Sequence, residues 1–383
     1  GYPHLMRDRQ GNLWCAWVSA RQRDPLAPQN WAKYEEGDMI VLRARRNGQW
    51  SEPVTLNTNF GVNFAPALAE DRDGVIYAVW SSRRHGEDGV WWRRVNPDLG
   101  LGNELRVPPA GRLEGHPAVV SSPDGRVWLA LQSWRNGSSD IVFYALDRDG
   151  WQRLADAAAT LDPEYRPRLA AGPDGAVWCA WDVYRVGKYR VMVRRYDPAV
   201  TAWGEAEEVP GDGVLDTYAP DLAVDGAGRV WVVYARNEVE EAAWGLRGPK
   251  PSPAPWPTVR IAVRDRGGWV VPQAVPGQAA GMVHRGDLPR VTLDPAGAVW
   301  VIWQTLPGHV DWKIGVGVYL GDRWGPLQLF GTEEPVALDG PPRRADQRPS
   351  VVCDRHGHLV MAYERGRGVF RNRDIFLREV KLE

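Results

Sequence analysis

The 383-residue chain is poor in cysteine, methionine, phenylalanine and histidine, with 3, 5, 6 and 7 of each. Lysine is scarcer still: of 47 basic side chains only 5 are Lys and 42 are Arg. Three cysteines at unrelated spacings build neither a disulfide framework nor a thiolate metal site, and they leave the redox compartment open. No run of 18 apolar residues occurs, which excludes a helical membrane span. A formal net charge of −1 excludes the basic footprint that a nucleic-acid partner requires. Long helical patterns are also missing, as are Ser/His/Asp and Cys/His pairing signals. Neither a metal nor a cofactor is expected. The arginine bias, with abundant Ala, Gly and Pro, suits a GC-rich genome as well as it suits a function. The chain starts at Gly1 with no visible signal peptide, which is compatible with a processed or excised piece of a longer chain carrying further domains.

What the chain does have is tryptophan, 21 in all, and a repeat. A proline followed by a glycine eight residues later recurs seven times: Pro3/Gly11, Pro66/Gly74, Pro117/Gly125, Pro167/Gly175, Pro220/Gly228, Pro289/Gly297 and Pro349/Gly357. Copies begin 50 to 69 residues apart, a period typical of solenoids and propellers. Three residues after the glycine stand Trp14, Tyr77, Trp128, Trp178, Trp231, Trp300 and Val360; six after it stand Trp17, Trp80, Leu131, Trp181, Tyr234, Trp303 and Tyr363. The stretch "PDLAVDGAGRVWVVYARN" at 220–237 is thus the fifth of seven copies.

Each copy reads as four strands. A first strand such as "PALAED" reaches a tight turn in which Gly supplies the backbone freedom. A second strand such as "VIYAVWSS" is apolar on both faces, as in a sheet covered on both sides. A third strand such as "DIVFYALDR" leads into a hairpin that carries Trp50, Trp151, Trp203, Trp269 or Trp324 beside a fourth strand. Four antiparallel strands repeated radially make an all-β, seven-bladed β-propeller, expected as one domain over 1–383. The seventh copy runs out after three strands, so its blade is expected to have three or to be closed from outside this chain. Packing between blades uses 14 of the 21 Trp. Cys15 and Cys179 fill equivalent buried positions and Cys353 lies in a first strand, so all three are expected as unbridged thiols.

The unit "hPxLAxDxDGxVWxAWxSxR", followed by a third strand and a "GxW" hairpin, resembles the bacterial BNR/sialidase-like propeller repeats over essentially the whole chain. The register of the sialidase Asp box, S-x-D-x-G-x-T-W, is not matched: in the nearest string, "SSPDGRVW" at 121–128, Asp abuts Gly. The resemblance implies a propeller with a sialidase-like or uronate-processing relative among its kin, and an arginine anchor for an acidic sugar.

Ligands of such folds meet the loop-rich end opposite the glycine turns. Three sets of residues are candidates there. Arginine recurs ten residues after the glycine as Arg21, Arg84, Arg135, Arg185 and Arg367; guanidinium forks match planar anions, and the same repetition fits a brace between blades. Around the prolines the repeat is broken by Tyr2, His116, Tyr165, Arg166, Asp216, Tyr218, Asp287 and Arg348, and seven residues after the glycine by Gln132, Asp182, Gln304 and Glu364. Tyr beside a carboxylate supports glycosidase chemistry, and His116 can serve as a base. Insertions at 21–38, 237–257 and 331–347 would wall one side of the mouth with Trp31, Tyr34, Trp244 and Trp256. Two functions follow. One is an exported recognition propeller (secreted, periplasmic or on the cell surface) that binds a glycan or protein. The other is a carbohydrate-active enzyme, hydrolase or lyase, acting on an acidic sugar.

Overall fold

A computed structural model describes residues 2–20, 37–59, 61–211, 213–237, 257–271, 285–306, 312–321, 323–331, 344–354, 356–367 and 373–380. Among them every regular element is a strand, and none is a helix able to cross a membrane. The strands form seven antiparallel sheets, ordered first to fourth along the chain, with a short fifth strand, Val54–Thr55, beside the third in the first sheet and three strands in the seventh. The fold is that of an all-β, seven-bladed propeller. The chain divides into two compact units, Gly1–Leu169 and Ala170–Glu383.

The seven glycines of the repeat all sit at positive φ, between 79° and 89°. Each closes a turn by donating its N–H to the residue three before it, as Gly74 does to Asp71 (3.2 Å) and Gly228 to Asp225 (2.9 Å). That earlier residue does more than turn the chain. The Asp8, Asp225 and Asp294 carboxylates accept the indole N–H of Trp14, Trp231 and Trp300 at 2.9, 3.0 and 3.4 Å. In the second turn the Tyr77 hydroxyl donates to Asp71 at 3.1 Å, and in the third Trp128 donates to Ser122 at 3.0 Å. Where Val360 replaces the ring, His358 stands 3.2 Å from Asp354 instead. The sequence motif is therefore a clasp between the turn and the ring six residues later, which satisfies an indole N–H that burial would otherwise strand.

The two aromatic positions have different neighbours. They are three apart on one strand, so they point to opposite faces. Trp14 of sheet one shares a core with Trp80 of sheet two, Trp178 of sheet four with Tyr234 of sheet five, Trp231 with Trp303, and Trp300 with Tyr363. Sheets five and six each give the first ring to one interface and the second to the other. Trp14, Trp128, Trp178, Trp231 and Trp300 are all buried, as their shared position predicts. Cys15, Cys179 and Cys353 are buried and none is in a disulfide; burial pushes the Cys15 thiol up to about 12, despite the opposing charge of Arg43.

Candidate functional site

The first strands are the inner ones. In the first unit those of sheets one, two and three (His4–Arg7, Val62–Glu70 and Arg112–Ser121) lie against one another in turn. In the second unit those of sheets five, six and seven do the same. Every inner strand carries one special residue, immediately before the repeat proline. Tyr2, Ala65, His116, Arg166, Ala219, Leu288 and Arg348 all have φ between 48° and 54°. The pairing register breaks around this residue, as between Phe64 and Ala67 or between Gly115 and Ala118. These are β-bulges, which re-aim a side chain where the ladder stops. A left-handed non-glycine residue costs about 1–3 kcal/mol and persists only when its surroundings hold it.

The hold comes from the neighbouring sheet. The bulged N–H of His116 donates to Ser81 Oγ (2.9 Å), that of Arg166 to Gln132 Oε1 (3.2 Å), that of Ala219 to Asp182 Oδ1 (2.8 Å) and that of Arg348 to Gln304 Oε1 (3.2 Å). Each acceptor stands seven residues after its glycine. The residues that break the repeat there thus have a job in the scaffold. Asp182 is fully buried in that role. Because Ala65, Ala219 and Leu288 adopt the same bulge, the backbone device is general, and only the side chain mounted on it is local.

Chemically capable side chains gather in the first unit. His116, on the bulge of sheet three, is half-buried, with its ring edge-on to Phe64 at 5.8 Å. Phe64 in turn meets Tyr2 at 6.5 Å. Burial, then the positive charges of Arg168 and Arg166, push the His116 imidazole down to about 4. It is therefore a neutral imidazole at neutral pH, within the field of two arginines. Tyr165 precedes Arg166 on the same strand, and both are half-buried. Neither Arg168 nor Phe64 is singled out by the repeat. Arg168 follows the proline, where other copies have small or acidic residues as well, and only the fold sets it near His116.

In the second unit the candidates are tied up differently. Tyr218 donates to Asn237 Oδ1 (3.3 Å), whose amide approaches the buried Asp216 (3.3 Å). The Asp287 carboxylate accepts the Leu288 N–H at 2.7 Å. Arg348 pairs with the buried Glu364 at 3.2 Å. Of the recurrent arginines, Arg135 is anchored inside sheet three by Asp140 (2.6 Å) and Asp156 (2.8 Å). Arg84 pairs with Glu104 and lies 3.4 Å over Trp91. Both brace their own blades. Arg185 is exposed on its hairpin. Trp31, Tyr34, Trp244 and Trp256 lie outside the described residues, as does most of each insertion. Among the described residues no group of three or more His, Cys, Asp or Glu is arranged to hold a metal ion.

No protein-family model matches the chain, and neither does any curated protein. Solved structures do. A polysaccharide lyase of family PL25, an ulvan lyase bound to -[GlcA(1-4)Rha3S]-, aligns over 99% of this chain and 93% of its own, at 10% identity and a TM-score of 0.65. The polysaccharide lyase Uly1 aligns over 99% and 90%, at 10% identity and a TM-score of 0.60. An α-L-arabinanase of Penicillium chrysogenum, complexed with arabinobiose, aligns over 82% and 92%, at 17% identity and a TM-score of 0.51. At these identities the likeness is one of fold.

Proposed function

We propose that the protein binds an acidic polysaccharide at the inner-strand cluster of its first unit, around His116, Arg166 and Arg168. The observation that carries this reading is an imidazole, kept neutral by burial, that feels the charges of two arginines on the first strand of the next sheet. A guanidinium fork fits a carboxylate or sulfate, and a neutral imidazole offers a hydroxyl both a donor and an acceptor. Phe64 and Tyr2 add apolar surface next to the charges. Two neighbours in fold are polysaccharide lyases, one of them bound to a glucuronate-containing sulfated chain, and this supports the class of ligand. The proposal carries export with it, to wherever such polymers are met; cell fractionation that found the protein confined to the cytoplasm would contradict that part.

Calorimetric titration with a glucuronate-containing polymer tests the reading. Binding should weaken about tenfold or more in Arg166→Ala and in Arg168→Ala, with melting temperature unchanged. Equal affinity in both variants would refute it, and so would tighter binding of a neutral arabinan.

One observation favours catalysis over recognition alone: the His116 imidazole is neutral and free to take a proton, and a uronate carboxylate seated on Arg166 and Arg168 would offset the charges that depress it and raise its basicity toward the working pH. With a uronate carboxylate paired to arginine, the proton at C5 becomes more acidic. His116 would take that proton, the C5–H electrons would form the C4=C5 double bond, and the C4–O4 bond would break. A proton donor such as Tyr165 would then return a proton to the leaving oxygen. The product is a 4,5-unsaturated uronate, seen by its ultraviolet absorbance; a polymer recovered unchanged in length after prolonged incubation would leave recognition alone.

A further inference from the structure

We infer that Trp134 is a stacking platform for the sugar next to the one held by Arg166, so that the site reads at least two consecutive residues of the glycan. This rests on the acidic-glycan reading above and deepens it. Nine residues after the repeat glycine the copies carry Ala20, Arg83, Trp134, Tyr184, Asn237, Leu306 and Gly366. The position has no shared residue; it is aromatic in two copies, Trp134 and Tyr184, and Trp134 is the one in the sheet that carries His116. Unlike the rings at the two packing positions, Trp134 is 40% exposed. A tryptophan with that much surface in water contributes less to a core than a buried one.

Direction follows from the strand. Gln132 and Trp134 are two residues apart on the second strand of sheet three, Val127–Arg135, so their side chains share a face. Gln132 uses that face to accept the Arg166 N–H at 3.2 Å. Trp134 therefore stands on the side turned toward Arg166, about 7 Å further along the strand, a step comparable to one sugar residue. Its cross-strand partner on the inner strand is Arg112, which is exposed, and Leu113 beside it is 58% exposed. The arrangement is an indole with an arginine, Arg112, across the strand from it. Sugar C–H faces stack on such rings, while the guanidinium groups meet carboxylate or sulfate. Among the described residues, none of the core clusters between sheets given above includes this indole.

Titration with glucuronate-containing oligosaccharides of two to eight residues tests the inference. Wild type should bind longer members more tightly than the disaccharide. Trp134→Ala should lose about tenfold in affinity for the longer members and less than about twofold for the disaccharide. Trp134→Phe should recover most of the loss. Arg166→Ala should weaken every length. If Trp134→Ala matches wild type at all lengths while Arg166→Ala is impaired, the platform is wrong and the acidic site stands. If no member binds wild type, or Arg166→Ala also matches it, the site reading falls and the platform falls with it. Thermal melts of both variants should match wild type; a Trp134→Ala protein that melts well below it would assign the ring to structure and overturn the platform.

Discussion

At the scale of single residues, burial decides what each charged group can do. His116 is held neutral down to about pH 4 by burial and two arginines. The unfolded chain protonates it at its ordinary value, so stability falls as pH drops from about 6.5 to about 4 and is unaffected above. Replacing it in His116→Gln should flatten that part of the pH–melting curve; an unchanged curve would mean the imidazole is not desolvated. Glu164 does the opposite. It is 1% exposed, takes two donations from Thr160 on Oε1 (2.6 and 3.2 Å) and has no partner for Oε2. Burial raises it to about 7. The folded protein then binds the extra proton between about pH 4.5 and 7, so stability is lost as pH rises through that window. Glu164→Gln should raise stability by about 2 kcal/mol at pH 8 and change little at pH 5. Equal effects at both pH values would show that the carboxyl ionises normally.

At the scale of the element, the sheets and their turns were legible from the sequence, because proline, glycine and two rings recur at fixed offsets and each offset has one physical cause. The glycine is fixed by its positive φ and the rings by the two faces of one strand. The clasp between the turn residue and the first ring was hidden in plain view, as an Asp or Ser three residues before six of the seven glycines. The bulge before each proline was not legible. It is a backbone state that residues as unlike as Ala65 and Arg348 share, so no side-chain pattern announces it. Its signature lies instead in the hydrogen-bond acceptors seven residues after the glycine of the preceding copy, which sequence alone reads equally well as site residues. The hold on the bulge can be tested at Asp182. Asp182→Ala leaves the buried Ala219 N–H without its 2.8 Å acceptor and should cost about 1–3 kcal/mol, whereas Asp182→Asn keeps an acceptor and should cost much less. Denaturant melts of both variants decide it; equal losses would show that charge rather than hydrogen bonding matters there.

At the scale of the whole molecule, the sequence points to one domain, and the structure divides into two compact units whose boundary, after Leu169, falls inside the strand Glu164–Ala171. If the chain is the one domain that its repeat suggests, calorimetry should give one unfolding peak; two separable peaks would make the units independent. What the repeat could not supply is function, because function lies in the side chains that depart from it. Arg168, Phe64 and Trp134 become relevant only once the inner strands are brought together. The central claim is that an acidic sugar is held at His116, Arg166 and Arg168. A crystal structure with a bound glucuronate-containing tetrasaccharide tests it most directly. The account predicts a uronate carboxylate at about 3 Å from the Arg166 or Arg168 guanidinium, with His116 against the same sugar; an oligosaccharide bound elsewhere, with that cluster touching none of it, would contradict it.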